Sequence, residues 1–300
     1  MVAAATGRPV DELYCRLGYL NGYFFPQGWG DLRVVNLEED LKLLSTWPPP
    51  GIKVGWKLMD RGNRDGTAFK LYEGTFKTPC TGRVYDALPP ESRTARVQWL
   101  LPANAAPGTS FGSSFRLNNP DPRPAHATKH RMPDAASAAG RTPGLAAAVH
   151  LAGTGDQTFG RRLRLGLPLL NQGVTTMVHE SPYYGARRPP QQRGSKLLRV
   201  SDLLTLGWAT IFESLNLLHF LELEGFHEGG LSMVGLSMGG VHASMTAALY
   251  PGDVACVPLL APRSAAVAYC DGAMGGIMDW DALLRRADER DNDVSQLPSG

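Results

Sequence analysis

Residues 231–249 read LSMVGLSMGGVHASMTAAL, and this stretch decides the fold prediction. Residues 231–235 form a short apolar run that ends at a glycine, which is typical of a buried strand. Residues 238–249 are small or apolar and stop before Pro251, as a helix packed close to its neighbours does. The stretch therefore predicts a strand, a tight turn at Ser237 and a helix.

The turn between these elements matches the pattern G-x-S-x-G, with Gly235, Ser237 and Gly239 at its fixed positions. In a strand–turn–helix setting this pattern predicts a nucleophile elbow, in which a strained serine stands at the carboxyl end of a sheet. Side chains at residues 235 and 239 would collide with the neighbouring strand and helix, which accounts for both glycines. Ser237 is therefore the candidate nucleophile of an acyl-transfer site. A glycine-rich turn with an idle serine is the alternative.

A nucleophilic serine produces an oxyanion, and this charge needs hydrogen-bond donors aimed at it. One donor is predicted to be the N–H of Met238, the residue after the serine. The other is expected in the turn GTGD at residues 153–156, which follows an apolar run ending at Leu151. Thr154 is the first choice for this donor and Gly155 the second. A glycine turn without a ligand is the alternative.

Apolar runs at residues 145–151, 174–178 and 254–260 predict further strands, and residues 157–170 and 201–224 predict helices between them, the second with Ser201 as its N-cap. Alternating strands and helices predict an α/β fold with a mostly parallel sheet and helices on both faces. Residues 67–78 and 95–101 alternate apolar and polar side chains, so they are expected to add antiparallel strands at the N-terminal side.

The chain divides into four predicted segments. Residues 1–50 are expected to be an N-terminal helical segment, with a helix at 11–24 and an end at the prolines 48–50. Residues 51–101 should supply the antiparallel strands. Residues 102–144 are rich in Ala, Pro, Gly and Ser and predict a disordered insertion. Residues 145–300 should form the hydrolase core that carries the elbow.

Composition excludes several function classes. The formal net charge of +2 gives no overall field for nucleic acid, and no apolar stretch is long enough to span a bilayer, which leaves peripheral membrane contact open. The four cysteines lack metal-binding spacing, and the N-terminus has no apolar signal region, so we expect an intracellular protein without a structural metal. No phosphate-binding or dinucleotide motif is present, and no cofactor is predicted.

Basic residues are concentrated between residues 161 and 200, where Glu180 is the only acid. Arginine binds phosphate and carboxylate groups bidentately, so four residues are predicted to contact an anionic part of a substrate: Arg161, Arg162, Arg187 and Arg188. The alternative is a solvated surface, or pairing with acids such as Asp202 and Glu213.

Several separated motifs, in order, resemble a known family. They are VHLAGTGD at 149–156, RR at 161–162, ESPYYG at 180–185 followed by RP at 188–189, VSD at 200–202 and GLSMGG at 235–240. Together they resemble the α/β-hydrolase domain-containing protein 18 family, especially its plant and algal members, over residues 20–285 apart from the insertion. The resemblance implies an α/β-hydrolase fold, a Ser–Asp–His mechanism and an ester or lipid acyl substrate. Gln157 departs from the histidine usual in relatives.

The catalytic histidine and acid are not identified by the sequence. The triad order of this fold is serine, acid, histidine, but His242 is the only histidine after Ser237 and lies on the wrong side of its helix. His150 and His179 end predicted neighbouring strands, where a histidine is more often a core residue. The candidates for the catalytic acid are Asp271, Asp279 and Asp281, and the sequence does not choose between them.

No convincing strand follows residue 260, so the last strands of the fold are expected to be missing and the chain to be C-terminally incomplete. The leading hypothesis is a serine hydrolase for a carboxylic ester, with a small-molecule or lipid ester as its substrate. The alternative is a non-catalytic binding protein of the same fold, or a truncated product without the base.

Overall fold

A computed structural model describes residues 22–64, 66–111, 145–226 and 230–285. Seven strands form one sheet: β1 Gly55–Arg64, β2 Thr67–Lys77, β3 Thr94–Pro102, β4 Ala146–Leu151, β5 Val174–His179, β6 Leu231–Leu236 and β7 Ala255–Leu259. The α-helices are α1 Leu37–Leu44, α2 Gly82–Ala87, α3 Gly160–Leu170, α4 Val200–Leu223 and α5 Met238–Leu249, and residues 280–285 at the end of the described chain are also helical. Short 3₁₀ or π turns lie at Leu32–Val34, Pro90–Arg93, Gly185–Arg187, Val267–Asp271 and Ala273–Ile277.

The sheet is mixed, with the order β1-β2-β3-β5-β4-β6-β7. The first three strands and β5 pair antiparallel, whereas β5, β4, β6 and β7 pair parallel. The antiparallel N-terminal strands and the parallel core are therefore confirmed. Strand β1 was not separately identified from the sequence, because its residues are mostly exposed and show no apolar alternation.

The register brings the carboxyl ends of the central strands to one edge. His150 of β4 lies opposite Val178 of β5 and Val234 of β6, and Leu151 lies opposite Gly235. The loops that leave β4, β5 and β6 therefore start side by side. This edge, which we call the carboxyl edge, carries the candidate site.

Helices cover both faces of the sheet. Helix α3 packs so closely on β5 that a Cβ on Gly166 would lie 2.5 Å from the Thr176 hydroxyl. Helices α4 and α5 pack together beside the other face, where Gly207 lies against His242. The prediction of Ser201 as the cap of α4 is wrong. Arg199 is the N-cap residue, and its backbone N–H donates to Asp202 Oδ2 at 3.0 Å.

The described part of the N-terminal segment, residues 22–50, contains one α-helix, α1. Residues 11–21 of the predicted helix lie outside the described residues, but residues 22–24 are not helical, and Phe24 forms a β-bridge with Met278. The backbone of residues 25–29 instead bonds to residues 197–201, for example from Phe25 N–H to Leu197 O at 2.8 Å. This segment therefore ties the start of α4 to the end of the described chain.

Residues 102–111, which the sequence assigned to the predicted insertion, belong to the described structure. Pro102 belongs to β3, Ala103 N–H donates to Ala68 O at 3.1 Å, and Phe111 N–H donates to Glu224 O at 2.8 Å. Phe111 is 1% exposed and stacks on Phe226 with 4.7 Å between ring centroids. This buried aromatic ring anchors the chain where it leaves β3. The small residues around Phe111 in the sequence gave no indication of this contact. Residues 112–144 lie outside the described residues.

Strand β7 forms one edge of the described sheet, and all of its residues are exposed. It contains Pro258, which has no N–H to offer a further strand, as is common in edge strands. None of the helices in the described part of the chain combines the length and apolar composition needed to cross a membrane.

Candidate active site

Ser237 occupies a strained turn between β6 and α5. Its backbone angles are φ 54° and ψ −120°, a region that side-chain-bearing residues rarely adopt and that stores strain. Backbone hydrogen bonds fix the turn, because Ser237 N–H donates to Leu259 O at 2.8 Å and Gly240 N–H donates to Ser237 O at 2.9 Å. The serine side chain is half-buried at the carboxyl edge.

The two glycines of the motif are required by close backbone approach. A Cβ on Gly235 would lie 2.1 Å from Gly239 O, and a Cβ on Gly239 would lie 2.7 Å from Ala152 O. Neither contact can be relieved by a flexible side chain, because both partners are backbone atoms. The helix therefore starts directly against β4 and β6.

The 153–156 turn lies against this elbow. A Cβ on Gly153 would lie 2.8 Å from Leu236 O and 3.8 Å from the Ser237 Cβ. The hydroxyl of Thr154 lies 3.7 Å from Met238 Sδ, and Gly155 has the positive φ of 85° that favours glycine. Met238 is the first residue of α5, so its N–H has no acceptor within the helix. The turn and the start of the helix thus both lie next to Ser237.

The histidines considered from the sequence are buried. His150 and His242 each have a pKa lowered to about 4, mainly by burial and then by neighbouring Arg162 and His179 respectively. The pKa of His179 is also lowered, mainly by burial. Within the described ranges, no histidine ring forms a hydrogen bond with Ser237 Oγ.

His179 belongs to a fully buried polar cluster that we call the Glu213 network: Thr78, His179, Arg187 and Glu213. Glu213 Oε1 accepts from Thr78 Oγ1 at 2.6 Å and from Arg187 Nη2 at 2.7 Å. Its Oε2 accepts from Arg187 Nη1 at 2.8 Å and pairs with His179 Nε2 at 2.6 Å.

The Glu213 carboxylate is stabilised in its charged form. Burial alone would raise its pKa, but the charge of Arg187 and the hydrogen bonds from His179 and Arg187 lower the pKa to about 2. The lowered pKa of His179 makes its ring neutral, so Nε2–H donates to the carboxylate. Arg187 also donates to Glu180 O and Ser92 O, at 2.7 and 2.6 Å. The network joins α4, β5 and the segments at 78 and 92, and it is closed to solvent.

Comparison with protein families identifies the chain. The family model for "Alpha/beta hydrolase domain containing 18" matches residues 22–111 and 108–297. The chain belongs to this family. The mixed sheet with an elbow after β6 is accordingly an α/β-hydrolase fold, as the sequence motifs predicted.

A search of solved structures matches several esterases to this member of the α/β-hydrolase domain-containing 18 family. An acetyl xylan esterase from Paenibacillus sp. R4 has 13% identity and a TM-score of 0.47, with 89% of this chain and 71% of that chain covered. Acetyl xylan esterase 1 from Thermoanaerobacterium sp. JW/SL YS485 has 15% identity and a TM-score of 0.42, with 77% and 59% covered. A cold-adapted esterase from an Arctic intertidal metagenomic library has 14% identity and a TM-score of 0.35, with 64% and 59% covered.

Two of the four arginines predicted to contact substrate in this family member have another role. Arg162 is 6% exposed, donates to Asp156 Oδ2 at 2.8 Å and also bonds Thr158 O at 3.0 Å. Arg187 is fully buried on Glu213. Both guanidinium groups are therefore buried against acceptors of the protein itself, whereas the predicted substrate contacts need an exposed group. Arg161 and Arg188 are exposed beside the carboxyl edge.

The alternative proposed from the sequence, pairing with Glu213, holds for Arg187. Glu213 was a recognisable candidate for such pairing, because it is the only charged residue of α4 between Asp202 and Glu222. The participation of Thr78 and His179 was missed. Thr78 and His179 are 135 and 34 residues away from Glu213 in the sequence, and no local sequence pattern indicates contacts over such separations.

The acids considered for the triad lie apart from this network. Asp279 Oδ1 accepts from Ala282 N–H at 2.9 Å and so caps the helix that begins at residue 280. Asp271 and Asp281 are exposed. Across the described ranges, no group of three His, Cys, Asp or Glu side chains is arranged to hold a metal ion.

A separate cleft of about 1210 Å³ opens at the start of α4. The backbone N–H groups of Val200 and Ser201 at this cleft donate to Gly28 O and Trp29 O, so they are not free to bind a ligand. Ser237 does not line this cleft, so we do not assign it to the candidate site. Its lining residues are Gly30, Asp31, Leu32, Arg33, Val34, Arg83, Asp86, Ala87, Arg199, Ser201, Asp202 and Thr205.

Proposed function

We propose that this protein is a serine hydrolase that cleaves carboxylic esters, with Ser237 as its nucleophile. The observation that carries the proposal is the strained backbone of Ser237 at the elbow, with the 153–156 turn against it. Strain of this kind persists where the surrounding structure enforces it, and it is typical of functional residues. A turn without a chemical role would relax to an ordinary conformation by a small change of sequence.

In the proposed reaction, Ser237 Oγ attacks the ester carbonyl and forms a tetrahedral oxyanion. The N–H groups of Met238 and Thr154 stabilise that charge, with Gly155 as the second choice for the turn donor. A histidine–aspartate pair takes the serine proton and returns it to the leaving alkoxide, and water then releases the acid from the acyl-enzyme. The resemblance to the family implies this pair, and its residues are unassigned.

Hydrolysis of p-nitrophenyl esters of increasing acyl length tests this function. We expect hydrolysis above the buffer rate but slow, because no histidine ring of the described residues bonds to Ser237 Oγ and a serine without a base in place is a weak nucleophile near neutral pH. Ser237→Ala should reduce the rate to the buffer value. The matched control is Ser244→Ala, which alters an exposed serine on the same helix and should keep the wild-type rate. Hydrolysis that survives in Ser237→Ala, or a wild-type rate equal to buffer, contradicts the proposal.

The substrate is proposed to be an ester with an anionic group, with a lipid acyl ester as one such class. Arg161 and Arg188 support this, because both are exposed beside the carboxyl edge and neither forms an ion pair within the described residues. Replacing both by alanine should raise KM for an ester with a carboxylate or phosphate group and leave a neutral ester unchanged. Arg61→Ala with Arg64→Ala, on the far strand β1, is the control pair.

A non-catalytic binding protein of the same fold is the second candidate. The full burial of His179 on Glu213 favours it, because this histidine cannot serve as the base in that arrangement. A binding protein would bind esters and leave them intact, so the same hydrolysis assay separates the two candidates.

A further inference from the structure

Arg162 is a buried cation in the first turn of helix α3. The helix begins at Gly160, and Arg162 is 6% exposed. Both circumstances are unfavourable, because burial removes water from the guanidinium and the N-terminus of a helix carries a partial positive charge. A charge is tolerated in such a place when its hydrogen-bonding groups have partners, so these partners indicate what Arg162 does.

The guanidinium of Arg162 bonds to the ends of two strands and to the segment that follows one of them. Its Nη1 donates to His150 O on β4 and to His179 O on β5, which are neighbouring strand ends at the carboxyl edge. Its Nε donates to Asp156 Oδ2 at 2.8 Å, and its Nη2 donates to Thr158 O at 3.0 Å. A planar fork of N–H groups is suited to this arrangement, because it holds several acceptors in fixed relative positions.

The bond to Asp156 reaches the elbow through the 153–156 turn. Asp156 N–H donates to Gly153 O at 3.1 Å and closes the turn. The other end of the turn lies beside the nucleophile, because a Cβ on Gly153 would lie 3.8 Å from the Ser237 Cβ. Arg162 therefore holds the end of the turn that is remote from the serine, and the turn connects this end to the elbow.

We propose that Arg162 is a positioning residue, which fastens the 153–156 turn to the ends of β4 and β5 and so keeps the amide of the turn in place for the oxyanion on Ser237. The inference rests on the proposed function and deepens it, because it names the side chain that holds the second oxyanion donor. Without these bonds, the Asp156 end of the turn loses these attachments to the sheet, and the amide moves relative to the serine.

Arg162→Lys tests the proposal, with Arg93→Lys as the matched control. Lysine keeps the positive charge but replaces the fork with a single ammonium group, which cannot hold the same set of acceptors. Arg93 also donates to backbone carbonyls, to Leu88 O at 3.1 Å and to Asp86 O at 3.3 Å. These two acceptors belong to the segment before β3 rather than to the turn, so the control removes a similar fork from another place.

Two measurements on the full chain report on the turn. Hydrogen exchange of the peptide covering residues 152–159 reports how firmly the turn is held. The rate of Ser237 labelling by a fluorophosphonate, separated into kinact and KI, reports stabilisation of the phosphoryl oxygen, which takes the place of the oxyanion. Both are made well below the unfolding temperature of each variant, so a loss of stability alone does not change kinact.

We expect Arg162→Lys to accelerate exchange in residues 152–159 and to lower kinact about tenfold relative to Arg93→Lys, with KI unchanged. The reduction is smaller than the roughly 10²–10³-fold loss caused by removing an oxyanion donor, because the amide is displaced rather than removed. Equal kinact values in the two variants overturn the proposal. A change confined to KI, or a lower kinact without faster exchange, overturns it as well.

Asp156→Ala is a second test, which keeps the buried arginine and removes its acceptor on the turn. The control is Asp253→Ala, because Asp253 is an exposed acid before β7, at the opposite end of the strands from the carboxyl edge. We expect faster exchange in residues 152–159 and a lower kinact for Asp156→Ala alone. This pair decides the proposal if Arg162→Lys does not fold. Equal exchange and equal kinact in the two aspartate variants overturn it.

Failure of the proposed function gives a different result. A wild-type chain that never labels contradicts Ser237 as the nucleophile. The exchange measurement does not depend on that reaction, and it then decides alone whether Arg162 holds the turn. Equal exchange in Arg162→Lys and Arg93→Lys overturns the positioning role in either case.

Discussion

The Glu213 network and the elbow at Ser237 both lie near the carboxyl edge, and they differ in whether their polar groups have hydrogen-bond partners. At the Glu213 network, each carboxylate oxygen has two partners and every member is buried. At the elbow, Ser237 is half-exposed, its backbone is strained, and the Met238 amide has no helical acceptor. The Glu213 network keeps its charged groups paired and away from solvent, whereas the elbow has a backbone N–H group without a helical acceptor.

The comparison shows why residue types alone mislead. A histidine, a carboxylate and an arginine are what a catalytic site often contains, yet in the Glu213 network they stabilise one another and join separate segments of the fold. The elbow contains few polar side chains, but its open amides and fixed serine are suited to acyl transfer. We therefore assign a structural role to the network, and we propose that the chemistry takes place at the elbow.

Removing the carboxylate from the network should have the largest effect on stability. Glu213→Gln leaves the buried Arg187 charge uncompensated, so we expect a loss of about 3–5 kcal/mol in the free energy of unfolding. Urea denaturation measures this loss. Glu38→Gln, on an exposed helix, is the control and should change the value by no more than about 0.5 kcal/mol. A loss below about 1 kcal/mol for Glu213→Gln would show that the network is not a structural element.

Acid should destabilise the protein through its buried histidines. The pKa of His242 is about 4 in the folded chain and about 6.5 when unfolded, so the unfolded chain binds more protons between these values. Stability is therefore present above pH 6.5 and falls as the pH is lowered towards 4. Glu213 adds no loss in this window except near its lower end, because its folded pKa is about 2.

His242→Gln removes one of these titrating groups. Between pH 7 and pH 5, the variant should lose about 2 kcal/mol less stability than wild type. Denaturation curves at several pH values measure the difference. Ser244→Ala, on the same helix, provides the control and should keep the wild-type slope, because it removes no titrating group. Parallel curves for His242→Gln and wild type would contradict burial of a neutral His242.

Relieving the strain at the elbow should have the smallest effect, with the opposite sign. Ser237→Gly places the residue that tolerates positive φ at this position, so we expect a gain of about 1 kcal/mol in unfolding free energy. Ser237→Ala keeps a Cβ and should show no such gain. Denaturation of both variants distinguishes strain from loss of the hydroxyl. A glycine variant less stable than the alanine variant would contradict stored strain at Ser237.

Much of the fold was predictable because its signals are local. The run at 231–235, the glycines around Ser237 and the helix at 238–249 each occupy adjacent residues, and they led to β6, the elbow and α5. The N-terminal segment was predicted less well. Its structure depends on pairing with residues 197–201 and 277–279, which are distant in sequence.

The roles of the arginines show what the sequence could not predict about the site. Arg161 and Arg162 are adjacent, of the same residue type and in the same local sequence. Arg161 is nevertheless exposed, whereas Arg162 is buried against Asp156. The direction of each side chain from α3 decides this, and small shifts in the start of a helix change it. Sequence could identify the basic cluster but could not divide it into surface and structural members.

Mapping the site of a fluorophosphonate adduct tests the assignment of chemistry to the elbow most directly. After prolonged incubation, intact mass should show one slowly formed adduct, and peptide mass spectrometry should locate it on Ser237. The adduct should disappear in Ser237→Ala and persist in Ser244→Ala. An adduct on another residue, labelling that survives in Ser237→Ala, or no adduct on the wild-type chain would contradict Ser237 as the nucleophile.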